Sequence, residues 1–228
     1  MEIPSEAAVM TLPSVTLFPQ ALLPLYIFEP RYRRMLADAL AGNRMFIVAM
    51  RKSTHTRETP STIAGLGLVR VCVDNPDATS HLILQGITRV ELKEAVRYKP
   101  YRVHRIRPLQ APAKDSVAID ALLAKVRDLV TERIQLGLPF PFPVTPKAKP
   151  GKKEKGAQVV LSVKEIITYL DKLTDPDQVA DLISCALLPG AVERQTILET
   201  VEVEPRLKHL IHFLMAEISA HRKNRDHE

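Results

Sequence analysis

Leu17-Phe18-Pro19, followed by Leu22-Leu23-Pro24-Leu25-Tyr26-Ile27-Phe28-Glu29-Pro30-Arg31-Tyr32-Arg33-Arg34-Met35, decides how this chain is read. An apolar stretch of strand character runs into a helix, and prolines mark the boundaries. Pro30 suits a first helical position, where its missing N–H would have had no partner anyway. Tyr32, Met35, Leu36, Ala39 and Leu40 follow at helical spacing. Gly42 is placed to close the helix with a positive φ. Arg34 and Asp38 stand four apart and form a weak pair, worth ~0.3 kcal/mol. The spacing predicts one helix over about 30–41.

Around this helix the first half reads as β-rich. Val9–Leu12 and Val15–Phe18 are short apolar runs on either side of Pro13. Met45–Met50 is apolar throughout and short enough for a buried strand. Residues 63–73 make another, and Gly65 and Gly67 near its start point to a bulge or a close backbone crossing. Asp74-Asn75-Pro76-Asp77 is a turn. His81–Gly86 and Arg89–Leu92 read as two further strands, and Tyr101–Ile106 as the last. Short strands with turn signals between them predict a small barrel or sandwich.

The second half reads as helical. Asp115 or Ser116 caps a helix whose apolar stripe is Ile119, Leu122, Leu123, Val126, Leu129, Val130 and Ile134. Gly137–Gly156 carries five prolines and five lysines, a composition that excludes helix and predicts a solvated, flexible loop. Helix resumes from about Val163 to Leu173. Asp175 caps the next, with Pro176 at its first position. Val192–Thr200 is short, and Pro205 opens a last helix with Leu207, Leu210, Ile211, Leu214 and Ile218 on one face. The division expected is 1–110 for the β subdomain and 111–228 for the helical one.

Composition narrows the function classes. Hydrophobic residues are 46% and charged residues 25% of 228, ordinary for a globular protein. Cys72 and Cys185 lie far apart in apolar settings and read as two buried thiols. The lack of CxxC excludes a zinc ribbon, and the cysteine usage fits a cytoplasmic location. No apolar run approaches the ~20 residues that cross a bilayer, so no membrane role is expected. The net charge of +6 falls entirely within residues 1–110, which makes that half the contact surface for an anionic partner.

No catalytic constellation is present in the sequence. GxSxG, GxxxxGK[ST] and HExxH are all absent. His209 and His212 are three apart but have no evident carboxylate or cysteine partner, so no metal and no cofactor are expected. Ser162 and Lys164 are two apart and would point different ways on a helix, which argues against a dyad. Arg97-Tyr98-Lys99-Pro100-Tyr101-Arg102-Val103-His104-Arg105-Ile106-Arg107 has two readings. Its cations and tyrosines suit phosphate contact and base stacking in RNA, with Arg97, Lys99, Tyr101, Arg102 and Arg105 as the candidates. The plainer reading is an edge strand guarded by charge. The opening stretch also has two readings: its apolar residues fill a core, or Leu25, Tyr26, Phe28, Arg31 and Tyr32 border a groove for an extended peptide.

The stretch from Leu12-Pro13 through Phe28-Glu29-Pro30-Arg31-Tyr32 resembles the opening of the N-terminal, substrate-binding domains of Lon proteases. Ala64-Gly65-Leu66-Gly67, Leu84-Gln85-Gly86-Ile87-Thr88-Arg89-Val90 and Pro100-Tyr101-Arg102-Val103 are similar to that family's later strands. Asp175–Asp181, Leu187-Leu188-Pro189, Gln195–Leu198 and Glu202–Leu207 match in type and order. Gln20 departs from the pattern, standing where the family often has glycine, and Gly137–Gly156 has the look of an insertion. The resemblance implies an α+β fold: a PUA-like pseudobarrel of about six strands followed by a C-terminal helical subdomain. It also implies a non-enzymatic module that recognises unfolded or tagged polypeptides and works with a separate protease. The chain is expected to lack ATPase and protease domains. The alternative is an RNA-binding PUA-like module that uses the basic barrel face.

Overall fold

Met45–Met50 is apolar at every position because both of its faces are covered. Ile47 and Ala49 belong to one core cluster, Phe46 and Val48 to another. The computed structural model describes residues 2–52, 58–111, 116–138 and 172–225. The helix expected from Val163 begins outside them, as do Ser162, Lys164 and all of the Pro/Lys stretch after Leu138. The described strands are β1 (Glu6–Leu12), β2 (Leu22–Ile27), β3 (Met45–Met50), β4 (Ile63–Asp74), β5 (Ser80–Arg97) and β6 (Arg102–Leu109). The described helices are α1 (Pro30–Ala41), α2 (Val117–Gln135), α3 (Pro176–Leu187), α4 (Ala191–Glu199) and α5 (Val203–Arg225).

The sheet runs β2-β5-β4-β3-β1-β6, and β5 pairs with β6 as well. Strands β1, β3, β4, β5 and β6 therefore close on themselves, and β2 stays at the margin, paired with β5. Only β1 and β3 run parallel. All five closing strands feed the cluster of Ala7, Val9, Ile47, Leu66, Val90 and Ile106, which fills the barrel. The second cluster lies between sheet and α1 and includes Leu17, Met35, Leu36, Phe46 and Leu84. The α+β pseudobarrel expected from the sequence is the fold observed.

The expected break between His81–Gly86 and Arg89–Leu92 does not occur. β5 is one strand of 18 residues. It serves β2 with residues 80–85 and β6 from Arg89 onward. Gly86 is there to make room rather than to turn the chain. A Cβ on Gly86 would sit 1.9 Å from the carbonyl oxygen of Phe18, and one on Gly65 would sit 2.0 Å from that of Leu17. The close crossing read from Gly65 and Gly67 is thus real, and a register shift at Leu66/Gly67 accompanies it. The crossing segment is Val15–Phe18, which forms no strand. Leu17 and Phe18 are fully buried by the crossing. Gln20 then takes a φ of 64°, the conformation glycine adopts without strain. Gly42, by contrast, closes α1 at a φ of −107°, not the positive value expected.

The chain divides into two compact units. The first comprises residues 1–113 together with 190–202, so α4 packs with the strands. The Gln195 amide donates to the Ile63 carbonyl, and the buried Arg89 donates to that of Leu198 in the last turn of α4. A cation at a helix C-terminus satisfies an orphan carbonyl and opposes the helix dipole. The second unit holds α2, α3 and α5. Ser116 caps α2 by accepting from Ile119 N–H, and Asp175 caps α3 by accepting from Asp177 N–H. Leu207, Leu210, Leu214 and Ile218 are buried on α5, as the spacing required. Two arginines are buried with them. Arg133 pairs with Glu217 at 2.9 Å, and Arg206 pairs with Asp177 at 2.7 Å and Asp181 at 3.3 Å. Cys72 and Cys185 are half-buried rather than enclosed. Among the described residues no helix is long and apolar enough to cross a membrane.

Candidate functional site

β2 alternates around its own axis. Leu23, Leu25 and Ile27 turn to the core, and Leu22, Pro24 and Tyr26 turn out. Leu25, expected at a groove, is therefore a core residue, and Leu22, read as core, is 62% exposed. Gly86 exchanges backbone hydrogen bonds with Gln20 and Ala21, so residues 84, 82 and 80 of β5 face β2 in turn. That alternation aims the Pro24 nitrogen at the free margin. Proline has no hydrogen to offer there, which is where a sheet tolerates it.

The outward residues form rows across three strands. Tyr26 stands opposite His81, which stands opposite Val73. Pro24 stands opposite Ile83, which stands opposite Val71. Leu22 is opposite Gln85, whose side chain accepts from Arg70. Val71 and Val73 are each more than half exposed, as is Phe28 beyond the end of β2. The Tyr26 ring stacks on both Phe28, at 5.8 Å between centroids, and His81, at 4.7 Å. Leu22, Pro24, Tyr26, Phe28, Ile83, Val71 and Val73 thus make one apolar face. Scattered exposed apolar side chains are ordinary, but a contiguous set of this kind marks an interaction surface. Sequence reasoning found Tyr26 and Phe28 and missed the valines and Ile83. Strands that are apolar on both sides hide which side faces water.

Tyr32 is buried and lines a small cavity rather than the outer face of β2. It is 5% exposed, because the hydroxyl anchors α1 to β1. The Thr11 N–H donates to it at 3.1 Å, and it lies 3.2 Å from the Thr11 carbonyl and 3.1 Å from Glu58 Oε1. Burial pushes its pKa up to about 12. Arg31 lies over the Tyr32 ring and bonds both Glu58 and Glu29. Its pKa is raised, chiefly by the Glu58 hydrogen bond. Burial works against the Glu58 carboxylate, but the hydrogen bond and charge of Arg31, with Tyr32 behind them, hold its pKa below the ordinary value.

The basic stretch is neutralised in part within the fold. Arg105 pairs with Glu6 and Glu94, and Arg107 with Glu91. Arg97 lies over the Tyr101 ring, whose hydroxyl donates to Asp38 at 2.6 Å and lowers that carboxyl's pKa. Arg102 lies over Tyr98 and donates to the Glu58 carbonyl. Lys99 is exposed at the hairpin tip. A cavity of about 190 Å³ brings Arg31 and Tyr32 together with Lys99, Tyr101 and Arg102, so members of both candidate sets border one space, while Leu25, Tyr26, Phe28, Arg97 and Arg105 do not line it. Tyr101 is too buried to stack a base. No cluster of metal-ligating side chains occurs among the described residues.

The chain and its fold have relatives. The model of the ATP-dependent protease La (LON) substrate-binding domain matches residues 6–216. The Lon protease of Dictyoglomus thermophilum is 24% identical over 220 residues, 95% of this chain and 25% of that protein. That of Trichlorobacter lovleyi is 26% identical over 212 residues, 91% of this chain and 23% of that protein. The chain thus spans about a quarter of the length of the curated relatives it matches. Among solved structures, the N-terminal domain of the Mycobacterium avium complex Lon protease superposes with a TM-score of 0.69 at 17% identity, covering 92% of this chain and 98% of that one. A Lon N-terminal domain protein from Xanthomonas campestris gives 0.62 at 17% identity, covering 92% and 99%. With the family model matching nearly its whole length, this chain belongs to the Lon substrate-binding domain family.

Proposed function

We propose that this protein is a non-catalytic polypeptide-recognition module of the cytoplasm, which binds extended, unfolded segments on the outer face of β2, β5 and β4 and presents them to a protease. The observation that carries this reading is the contiguous apolar face built on Leu22, Tyr26, Phe28, Val71 and Val73. Family membership supplies the class of ligand. An apolar face with few fixed polar groups suits a ligand defined by being unfolded rather than by one sequence. Leu22 to Phe28 spans roughly 20 Å at strand rise, enough for a segment of about six or seven residues.

The free margin of β2 is a poorer place for the ligand. Pro24 interrupts the row of outward donors that an added strand would pair with. The face, not the edge, is the contact.

The test is binding of a labelled unfolded polypeptide to the purified protein at low and high salt, with wild type and Tyr26→Ser/Phe28→Ser compared. Wild type should bind with little salt dependence, and the double variant should bind roughly tenfold more weakly while its stability stays within about 0.5 kcal/mol. Equal binding by both proteins would refute the site. RNA binding that collapses with salt, with no polypeptide binding, would replace the reading with contact at the basic hairpin.

A further inference from the structure

The apolar face has a charged end. Its rows run from Phe28 through Tyr26–His81–Val73 and Pro24–Ile83–Val71 to Leu22–Gln85. Arg70, the extra residue of the β4 register shift between Val69 and Val71, reaches that last row through its hydrogen bond to Gln85. Such a shift turns an additional side chain outward. Arg70 is exposed, and its contact is a hydrogen bond to the neutral Gln85 amide. Among the described residues it has no carboxylate partner. Arg105 and Arg107 hold carboxylates, whereas Arg97 and Arg102, like Arg70, have no carboxylate partner among the described residues, but they lie at the β5–β6 hairpin and not on this face.

A guanidinium with free donors at the rim of an apolar face complements a ligand carboxylate. We propose that the face selects extended segments whose apolar run ends in an Asp or Glu side chain, and that Arg70 reads that charge. This rests on the polypeptide-binding reading above and adds a specificity to it. Gln85 holds the guanidinium over the Leu22 row, so the charge is met at one end of the segment and not along it. The other end meets the aromatic stack of Phe28, Tyr26 and His81. The order of features on the ligand is therefore fixed: apolar or aromatic residues first along the face, acid at the Arg70 end.

The experiment uses the full chain and labelled seven-residue peptides that share one apolar core. They carry Asp or Lys at one terminus or the other, with the chain ends blocked, and binding is read by fluorescence anisotropy at low and high salt. Wild type should prefer an acidic peptide by about two- to five-fold at low salt, the range of an exposed ion pair, and the preference should fade at high salt. Arg70→Glu should reverse the preference, and Arg70→Gln should abolish it, while both variants keep the wild-type circular dichroism. Equal binding of all the peptides, or a preference that survives Arg70→Glu, would overturn the role of Arg70 and leave the polypeptide reading standing. Failure of every peptide to bind, or binding indifferent to Tyr26→Ser/Phe28→Ser, would overturn both.

Discussion

Gly86→Ala tests the crossing on which the barrel is built. The added methyl would lie 1.9 Å from the Phe18 carbonyl oxygen and 2.8 Å from its carbon. Ordinary contact needs more than 3 Å, so the two backbones must part by over an ångström. The segment cannot give way freely. Gln20 N–H donates to the Gly86 carbonyl at 2.8 Å, and Gly86 N–H donates to the Ala21 carbonyl at 2.9 Å. Parting the backbones breaks both bonds, at about 1 kcal/mol each. It also lifts Leu17 and Phe18 from a close-packed site, an overpacking cost of about 1–3 kcal/mol. The reduced unfolded-state entropy of alanine returns less than about 1 kcal/mol. The expected loss is about 3–4 kcal/mol. At a urea slope of about 2 kcal/mol/M, the midpoint of the first unit's transition should fall by roughly 1.5–2 M, followed by circular dichroism. Gly65→Ala should behave alike, because it too meets backbone. Gly67→Ala should cost less, because the atoms nearest its methyl belong to the Leu84 and Leu17 side chains and not to backbone. A loss under 1 kcal/mol for Gly86→Ala, or a larger loss for Gly67→Ala than for the other two, would refute the pinned-backbone argument.

The Tyr32 anchor predicts opposite pH limbs. Its pKa is raised from 10.0 to about 12, so its contribution is full below pH 10 and is lost as pH rises from 10 towards 12. Tyr32→Phe should remove that alkaline loss and cost about 1–2 kcal/mol at neutral pH by stranding the Thr11 N–H. The lowered Glu58 carboxyl contributes above its ordinary value of 4.5 and loses that contribution as pH falls below it, so Glu58→Gln should flatten the acid limb. Stability of the three proteins measured by urea unfolding from pH 3 to 12 checks both; parallel curves would sink the assignment. In the second unit, Arg206→Met should cost about 3–5 kcal/mol, because it leaves the buried Asp181 carboxylate without its cation. The measurement is thermal unfolding, and restoration by Arg206→Met/Asp181→Leu would separate uncompensated charge from lost packing.

Proline and glycine carried much of the legible fold. Pro30 starts α1 and Asp175-Pro176 starts α3 as read, since a missing N–H and a side-chain cap act within one turn of chain. Gly65 and Gly67 announced a close approach without naming what approached. The strand expected to end at Gly86 runs on to Arg97, because a glycine that makes room for a crossing segment does not end the pairing around it. Buried Arg133 and Arg206 were not legible at all, because a long charged side chain inside a helical stripe acquires its partner only from another helix. The RNA reading drew on a real density of arginines, and the carboxylates that pair two of them, Arg105 and Arg107, come from across the β5–β6 hairpin and from β1, which a linear reading does not bring together.

The sequence by itself determined most of the strands and helices, where many of them begin, and the family the whole resembles. Those features follow from local backbone chemistry and from short patterns of apolar residues. Tertiary structure decided which apolar residues are available to a ligand. Leu22, Tyr26 and Phe28 face water and Leu25 and Tyr32 do not, although all five read as apolar or aromatic in one stretch. The reason is that β2 pairs on one side only and packs on one face only, and both facts depend on where β5 and α1 lie.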